Sequence, residues 1–233
     1  MHNTIKQILR KLLVKLELIN DQYTELFSVL NKQKNIPIHT VIDVGASNGC
    51  WSNAVMKIFP DAFYYLIEAN SVHLKALEEF KNKRKNADYI IAAASNNIGN
   101  IYFDDRDPFG GIASIEIKGN IVPSVTVDHC VKENNLLGPF MIKLDTHGFE
   151  IPILEGAINT LKQCNLLVVE VYNFQIAKDS LLFFEMCEYL LKNGFRSIGL
   201  IDRLYRPKDG LLWQFDLIFA PKTRKEFLDN KYK

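Results

Sequence analysis

Residues 40–52 read TVIDVGASNGCWS. Thr40–Val44 is a short β-branched run, the composition of a buried strand. It ends in Gly45-Ala46-Ser47-Asn48-Gly49, small residues that let a backbone approach a ligand closely. A helix is expected over Asn48–Phe59, its first N–H groups facing the turn. The segment therefore predicts strand, tight turn and helix, the opening of an α/β domain.

The alternation continues downstream. Strands are expected at Ala62–Glu68, Asp88–Ala93, Phe140–Asp145 and Leu166–Tyr172, with short strand pieces at Asn100–Phe103 and Pro123–Val127 around a loop carrying Gly110 and Gly111. Helices are expected over Ser71–Arg84, from a cap at Asp128 to Leu137, over Phe149–Gln163 and over Ser180–Lys192. Two closing strands, Arg196–Ile201 and Gln214–Ala220, have only the polar stretch Asp202–Gly210 between them and so pair antiparallel, because a parallel pair needs a crossover. The fold class is α/β: a mostly parallel sheet with an antiparallel last strand and helices on both faces.

Residues 1–36 differ from the domain expected over 37–233. Ile5, Ile8, Leu9, Leu12, Leu13, Leu16, Ile19, Tyr23, Leu26, Phe27 and Leu30 recur at helical spacing and predict an extra N-terminal amphipathic helix, ended before Pro37. Its apolar stripe needs cover from its own domain or from a second copy in a homodimer. An anionic membrane surface is the alternative.

Composition narrows the partners. Among 233 residues, 28 Lys and Arg balance 27 Asp and Glu for a net charge of +1, so no broad basic surface is available and no nucleic-acid partner is expected. No uncharged apolar run reaches the roughly 18 residues of a membrane span. No export signal is visible, and Cys50, Cys130, Cys164 and Cys187 are too scattered for a zinc site or a disulfide framework. A cytoplasmic protein with reduced thiols is expected.

In open α/β sheets ligands bind beyond the carboxyl ends of the strands. There the chain places Asp43–Gly49, then Glu68, 23 residues beyond Gly45, positioned to accept both hydroxyls of an adenosine ribose. The GxGxxG dinucleotide fingerprint is absent. Asp43 would repel a pyrophosphate and welcome an ammonium group, which favours S-adenosyl-L-methionine over a nicotinamide dinucleotide.

Several segments resemble FkbM-type methyltransferases: Val41–Ser52, Ile67–Asn70, Val125–Asp128, Met141–Ala157 (MIKLDTHGFEIPILEGA) and Leu167–Val171. The resemblance spans about Val41 to Ala220. It implies a Rossmann-like class I methyltransferase fold, S-adenosyl-L-methionine as cofactor, and methylation of a hydroxyl on a glycan or natural product. By position, Gly45, Ala46, Ser47, Asn48 and Gly49 would hold the methionine part, Glu68 and Ala69 the ribose, and Ala93–Ser95 the adenine. Asp43, Trp51 and Asp145 join this cofactor set, with core packing the alternative for Trp51. The chain departs from the family in Ala69-Asn70, usually proline after the glutamate, and in His147, often an acid or amide.

The fourth strand leads into Asp145-Thr146-His147-Gly148-Phe149-Glu150. His147 is the candidate general base, since an imidazole of pKa about 6.5 accepts a proton near neutrality; capping or solvent exposure is its alternative. Asp145, Glu150 and Glu170 are expected at the same mouth, and converging carboxylates need compensation. A divalent cation on Asp145 and Glu170 would supply it, as would Lys143. Phe109 and Trp213 are candidates for stacking on a sugar acceptor, and Asp104–Gly119 is either a lid or a surface excursion. A nicotinamide-dependent oxidoreductase and a non-catalytic adenosine-ligand-binding homologue are the competing functions.

Overall fold

Eleven strands form two sheets in the computed structural model, which describes residues 23–106, 111–114 and 119–232. In chain order they are β1 (Thr40–Val44), β2 (Phe63–Glu68), β3 (Ala87–Ile91), β4 (Ala93–Ala94), β5 (Gly99–Asp104), β6 (Ile112–Ser114), β7 (Asn120–Val125), β8 (Phe140–Leu144), β9 (Cys164–Tyr172), β10 (Phe195–Tyr205) and β11 (Leu212–Pro221). The helices are α1 (Thr24–Asn31), α2 (Cys50–Val55), α3 (Leu74–Asn82), α4 (Val127–Glu133), α5 (Glu150–Glu155), α6 (Ile158–Leu161) and α7 (Phe183–Lys192).

The large sheet runs β10-β11-β9-β8-β1-β2-β3. β1, β2, β3, β8 and β9 pair in parallel, and β11 is antiparallel to both β9 and β10. The hairpin forces this: α7 carries the chain from β9 to β10, leaving a gap, and the short return at Arg206–Leu211 drops the last strand into it. β1 and β8 are buried along their whole length. Alternate residues feed opposite layers: Ile42 and Val44 belong to one apolar cluster, Val41 to the other, with Tyr64 and Leu66. The α/β class, the parallel sheet and the antiparallel last strand match expectation.

Local outcomes differ. The third expected strand divides, with Ala87–Ile91 in the large sheet and Ala93–Ala94 pairing with β7 in a four-stranded sheet of order β4-β7-β5-β6. The long helix expected over Phe149–Gln163 breaks into α5 and α6 at Gly156. A Cβ at Gly156 would lie 2.0 Å from the Ser95 carbonyl oxygen, and the Asp128 carboxylate binds the N–H groups of Asn159 and Thr160 at 2.9 and 2.8 Å to start α6 afresh. Thr126, not Asp128, caps α4 by accepting from His129 N. The first helix is described only as Thr24–Asn31, where Leu26 and Leu30 are fully buried; the rest of its expected apolar stripe, residues 1–22, lies outside the described residues. No helix among the described residues is long and apolar enough to cross a membrane, and all four cysteines are free thiols.

Candidate functional site

The carboxyl ends of β1, β2 and β8 open onto a cavity of about 360 Å³, within the roughly 300–1,000 Å³ of small-molecule sites. Its floor is the turn after β1, whose Gly45 and Ala46 N–H groups donate to the Ile67 carbonyl at 3.0 and 3.2 Å. Gly45 has φ +75°, and a Cβ there would sit 2.0 Å from the Asp145 carbonyl oxygen. Glycine alone lets the turns after β1 and β8 touch. Ser47 follows with φ +50°, a conformation costly for a side-chain-bearing residue.

Glu68 ends β2 and is almost wholly buried. Its Oε2 accepts from Ser47 N at 2.6 Å and its Oε1 from Asn70 N at 2.7 Å. A carboxylate offers about four lone-pair sites, so two remain for a ligand in the cavity that Glu68 lines. Burial raises its pKa above the usual glutamate value, against the two N–H groups, which lower it.

Of the candidate cofactor residues, Gly45, Ala46, Ser47, Asn48, Trp51, Glu68, Ala69, Ala93 and Asp145 line the cavity. Asp43, Gly49 and Ser95 do not. Asp43 shares a sheet face with its register partner Lys143 but is fully buried, and Ser52 Oγ donates to its Oδ2 at 2.7 Å. Asp43 thus does not reach the cavity where an ammonium group would sit. Ser95 lies buried behind Ala94, its N–H on the Val125 carbonyl at 2.8 Å. Ala92, Ala94, Phe149 and Ile153 complete an apolar wall; Phe103, Gly111 and Ala113 reach it from the small sheet, and Tyr23 from the residue before α1.

The catalytic candidates separate into two groups. Glu150 builds the turn: its Oε1 accepts from Thr146 Oγ1 at 3.1 Å and from Gly148 N at 3.0 Å, and it does not line the cavity. Of the three carboxylates expected at the mouth, Asp145 lines the cavity, whereas Glu150 and Glu170 do not. His147, held by this turn at φ +52°, does line the cavity. Its Nδ1 is 2.7 Å from Tyr172 Oη and 3.1 Å from Glu170 Oε2, and its Nε2 is 4.0 Å from Asp145 Oδ1. Glu170 is itself gripped from both sides, by the Tyr172 hydroxyl on Oε2 and by Gln214 Nε2 on Oε1. Lys143 donates to Asp145 Oδ2 at 2.6 Å. Burial works against the Lys143 ammonium, but Asp145, Asp43 and Asp216 outweigh it and hold its pKa above the usual lysine value. Burial likewise pushes the Asp145 pKa up, and Lys143 and His147 together bring it below the usual aspartate value.

Asp145, His147 and Glu170 bring their ligand atoms within 4.8 Å of one another, a donor set of the type a divalent cation takes. Protein partners already engage each member: Lys143 on Asp145, Tyr172 on His147, Tyr172 and Gln214 on Glu170. Tyr172 was legible in principle, since it stands two residues after Glu170 on the same strand face. Gln214 was not, because its approach depends on the register of β11 against β9, in which Gln214 faces Tyr172.

Trp213 stacks on Phe174 at 5.2 Å and meets Tyr172 edge-on at 6.0 Å, with the Arg206 guanidinium 3.8 Å over the Phe174 ring. This cluster flanks the His147 side of the cavity without lining it. Phe109 lies outside the described residues, as do 107–110 and 115–118 of the candidate lid.

Residues 43–197 match the model of the methyltransferase FkbM domain. No curated protein matches the chain. A proposed RNA methyltransferase from Pyrococcus horikoshii superposes with a TM-score of 0.50 at 11% identity, covering 85% of this chain and 83% of that one. A proposed tRNA (m1A22) methyltransferase from Streptococcus pneumoniae, in complex with S-adenosyl-L-methionine, gives 0.50 at 11% identity over 87% of this chain and 74% of that one. At such identities the likeness is one of fold alone.

Proposed function

The chain belongs to the FkbM methyltransferase family, and from that premise we propose that it transfers the methyl group of S-adenosylmethionine to a hydroxyl of a sugar, glycan or natural product in the cytoplasm. The residues present fit that cofactor. Glu68 offers two open acceptor positions for a ribose diol, the Ala92–Ala94 wall with Phe149 suits an adenine ring, and the Gly45–Asn48 turn with Asp145 remains for the amino-acid end. When bound, S-adenosylmethionine supplies an electrophilic methyl group on a cationic sulfur.

What the chain supplies is alignment and a base. A sugar hydroxyl is too weak an acid to lose its proton before it attacks, so a group that takes the proton during attack contributes on the order of 10²–10⁴-fold. The position of His147 in the cavity wall carries the reading, since among the described residues that line the cavity it has the only imidazole, the side chain suited to accept a proton near neutrality. Its Nε2 receives the hydroxyl proton; the Asp145–Lys143 pair beside it fixes the wall. The near-zero net charge supports a small or glycan acceptor over a nucleic acid.

Incubating the protein with isotopically labelled S-adenosylmethionine and a panel of glycosides, with mass spectrometry of the products, tests the reading. A methyl ether is expected. Label transferred only to nitrogen or carbon acceptors would refute the hydroxyl assignment.

A further inference from the structure

Tyr172 has one hydroxyl proton, and the geometry spends it on Glu170 Oε2. Its oxygen, 2.7 Å from His147 Nδ1, can then only accept, so the proton in that contact belongs to the imidazole. The second neighbour of Nδ1 agrees: Glu170 Oε2, at 3.1 Å, is a carboxylate oxygen and also requires a donor. Both contacts demand a proton on Nδ1. In a neutral ring that makes Nε2, turned toward Asp145, the basic nitrogen.

Resting on the base role proposed for His147, we infer that Glu170 is a positioning residue that, with Tyr172, locks His147 in the Nδ1–H tautomer and thereby sets Nε2 as the proton acceptor. Glu170 does not line the cavity and acts through the imidazole. Gln214 of β11 restrains its other oxygen, so the antiparallel strand inserted between β9 and β10 has a chemical duty: it keeps the carboxylate from rotating away from the ring. Burial, then the adjacent Glu170 charge, raises the Tyr172 pKa and keeps the phenol protonated for its part in the chain. The strained φ of +52° at His147 is the backbone cost of delivering the ring to this partner.

The test uses the full chain with ¹⁵N-labelled histidine, the His147 signals being those lost in His147→Ala. In the wild type the ¹⁵N shifts should report Nδ1–H and an unprotonated Nε2. Glu170→Gln should raise the Nε2–H tautomer and lower turnover, on an acceptor from the glycoside panel, by about tenfold or more. Cofactor affinity should stay within about twofold, because the variant leaves the cavity lining intact. Should Glu170→Gln fail to fold, Tyr172→Phe carries the same two readouts in the same direction. An unchanged tautomer in the variant, or full turnover in it while His147→Ala is inactive, overturns the inference. Specific broadening of the His147 signals by stoichiometric Mn²⁺ would also overturn it, by making the cluster a metal site. If His147→Ala itself keeps full turnover, the base role falls instead, and the tautomer measurement still judges Glu170.

Discussion

Glu68 and Ser47, twenty-one residues apart, are joined by a 2.6 Å hydrogen bond from the Ser47 N–H to the Glu68 carboxylate. The same carboxylate that faces the cavity thus also holds the left-handed residue of the β1–α2 turn. Removing it strikes twice. Glu68→Ala should weaken S-adenosylmethionine binding by about 1.5–3 kcal/mol, the scale of hydrogen bonds to a charged acceptor, and should also lower Tm. Calorimetry and thermal melts read the two losses separately. Unchanged cofactor affinity in a folded variant would remove Glu68 from the binding site.

Gly45→Ala should be among the most damaging single substitutions. An added methyl would meet the Asp145 carbonyl at 2.0 Å, in a backbone already at φ +75°. Gly210 makes a matched control, since it is also left-handed at φ +72° but has nothing within 4 Å of its missing Cβ. Gly210→Ala should cost only the conformational penalty, about 1–2 kcal/mol. Gly45→Ala should cost more, and should abolish cofactor binding where any folded protein remains. Equal denaturation midpoints for the two variants would show that the turns after β1 and β8 do not need their contact.

Asp216 of β11 stands directly across from Glu170 of β9, and acidic residues opposite one another in a ladder repel. Burial, helped by Asp145, Glu170 and Asp202 and opposed by Lys143, raises the Asp216 pKa well above the usual aspartate value. A carboxyl whose pKa is raised in the folded state contributes its full stability below the unfolded value, near 3.9, and loses it as pH rises through the folded value. Asp216→Asn should therefore stabilise the protein at pH 8 but hardly at pH 4. The gain should be a few degrees in Tm, since about 1 kcal/mol moves a chain of this size by roughly 2–4 °C. A gain that is the same at both pH values would locate the cost of Asp216 in packing rather than charge.

The parallel sheet and the cavity floor were legible in the sequence because both are local signals. The β-branched run Thr40–Val44, the small residues to Gly49 and the carboxylate at Glu68 each declare themselves within a few positions. What stayed hidden depends on partners distant in the chain. Asp43 and Glu150 look like site residues by position, yet one is fully buried against Ser52 and the other is consumed by its own turn. The grip of Gln214 on Glu170 follows from β11 entering between β9 and β10, an order that alternation of strands and helices does not specify. The division of the expected third strand likewise depends on a second sheet, assembled from pieces too short to show a period.

Tyr23 precedes every residue of the family match, yet it lines the cavity beside Trp51 and Lys143. Its segment is anchored firmly. Leu26 and Leu30 are buried in the cluster that holds Val41 and Leu66, and Glu25 pairs with Arg203 and accepts from Asp202 N at 3.2 Å on β10. Burial pushes the Tyr23 phenol up to about 12, so it meets a ligand as a neutral hydroxyl. Tyr23, at the entry to α1, is then part of the cavity wall, while α1 itself packs beneath it. Leu30→Ala should cost about 2–5 kcal/mol of stability with cofactor affinity nearly intact, because it empties the layer beneath the cavity. Tyr23→Ala should do the reverse: a small loss of stability and a clear loss of affinity, read by titration with S-adenosylhomocysteine. Deleting residues 1–34 should combine both losses. Wild-type affinity in that deletion would mean that the cavity closes without Tyr23 and that α1 serves packing alone.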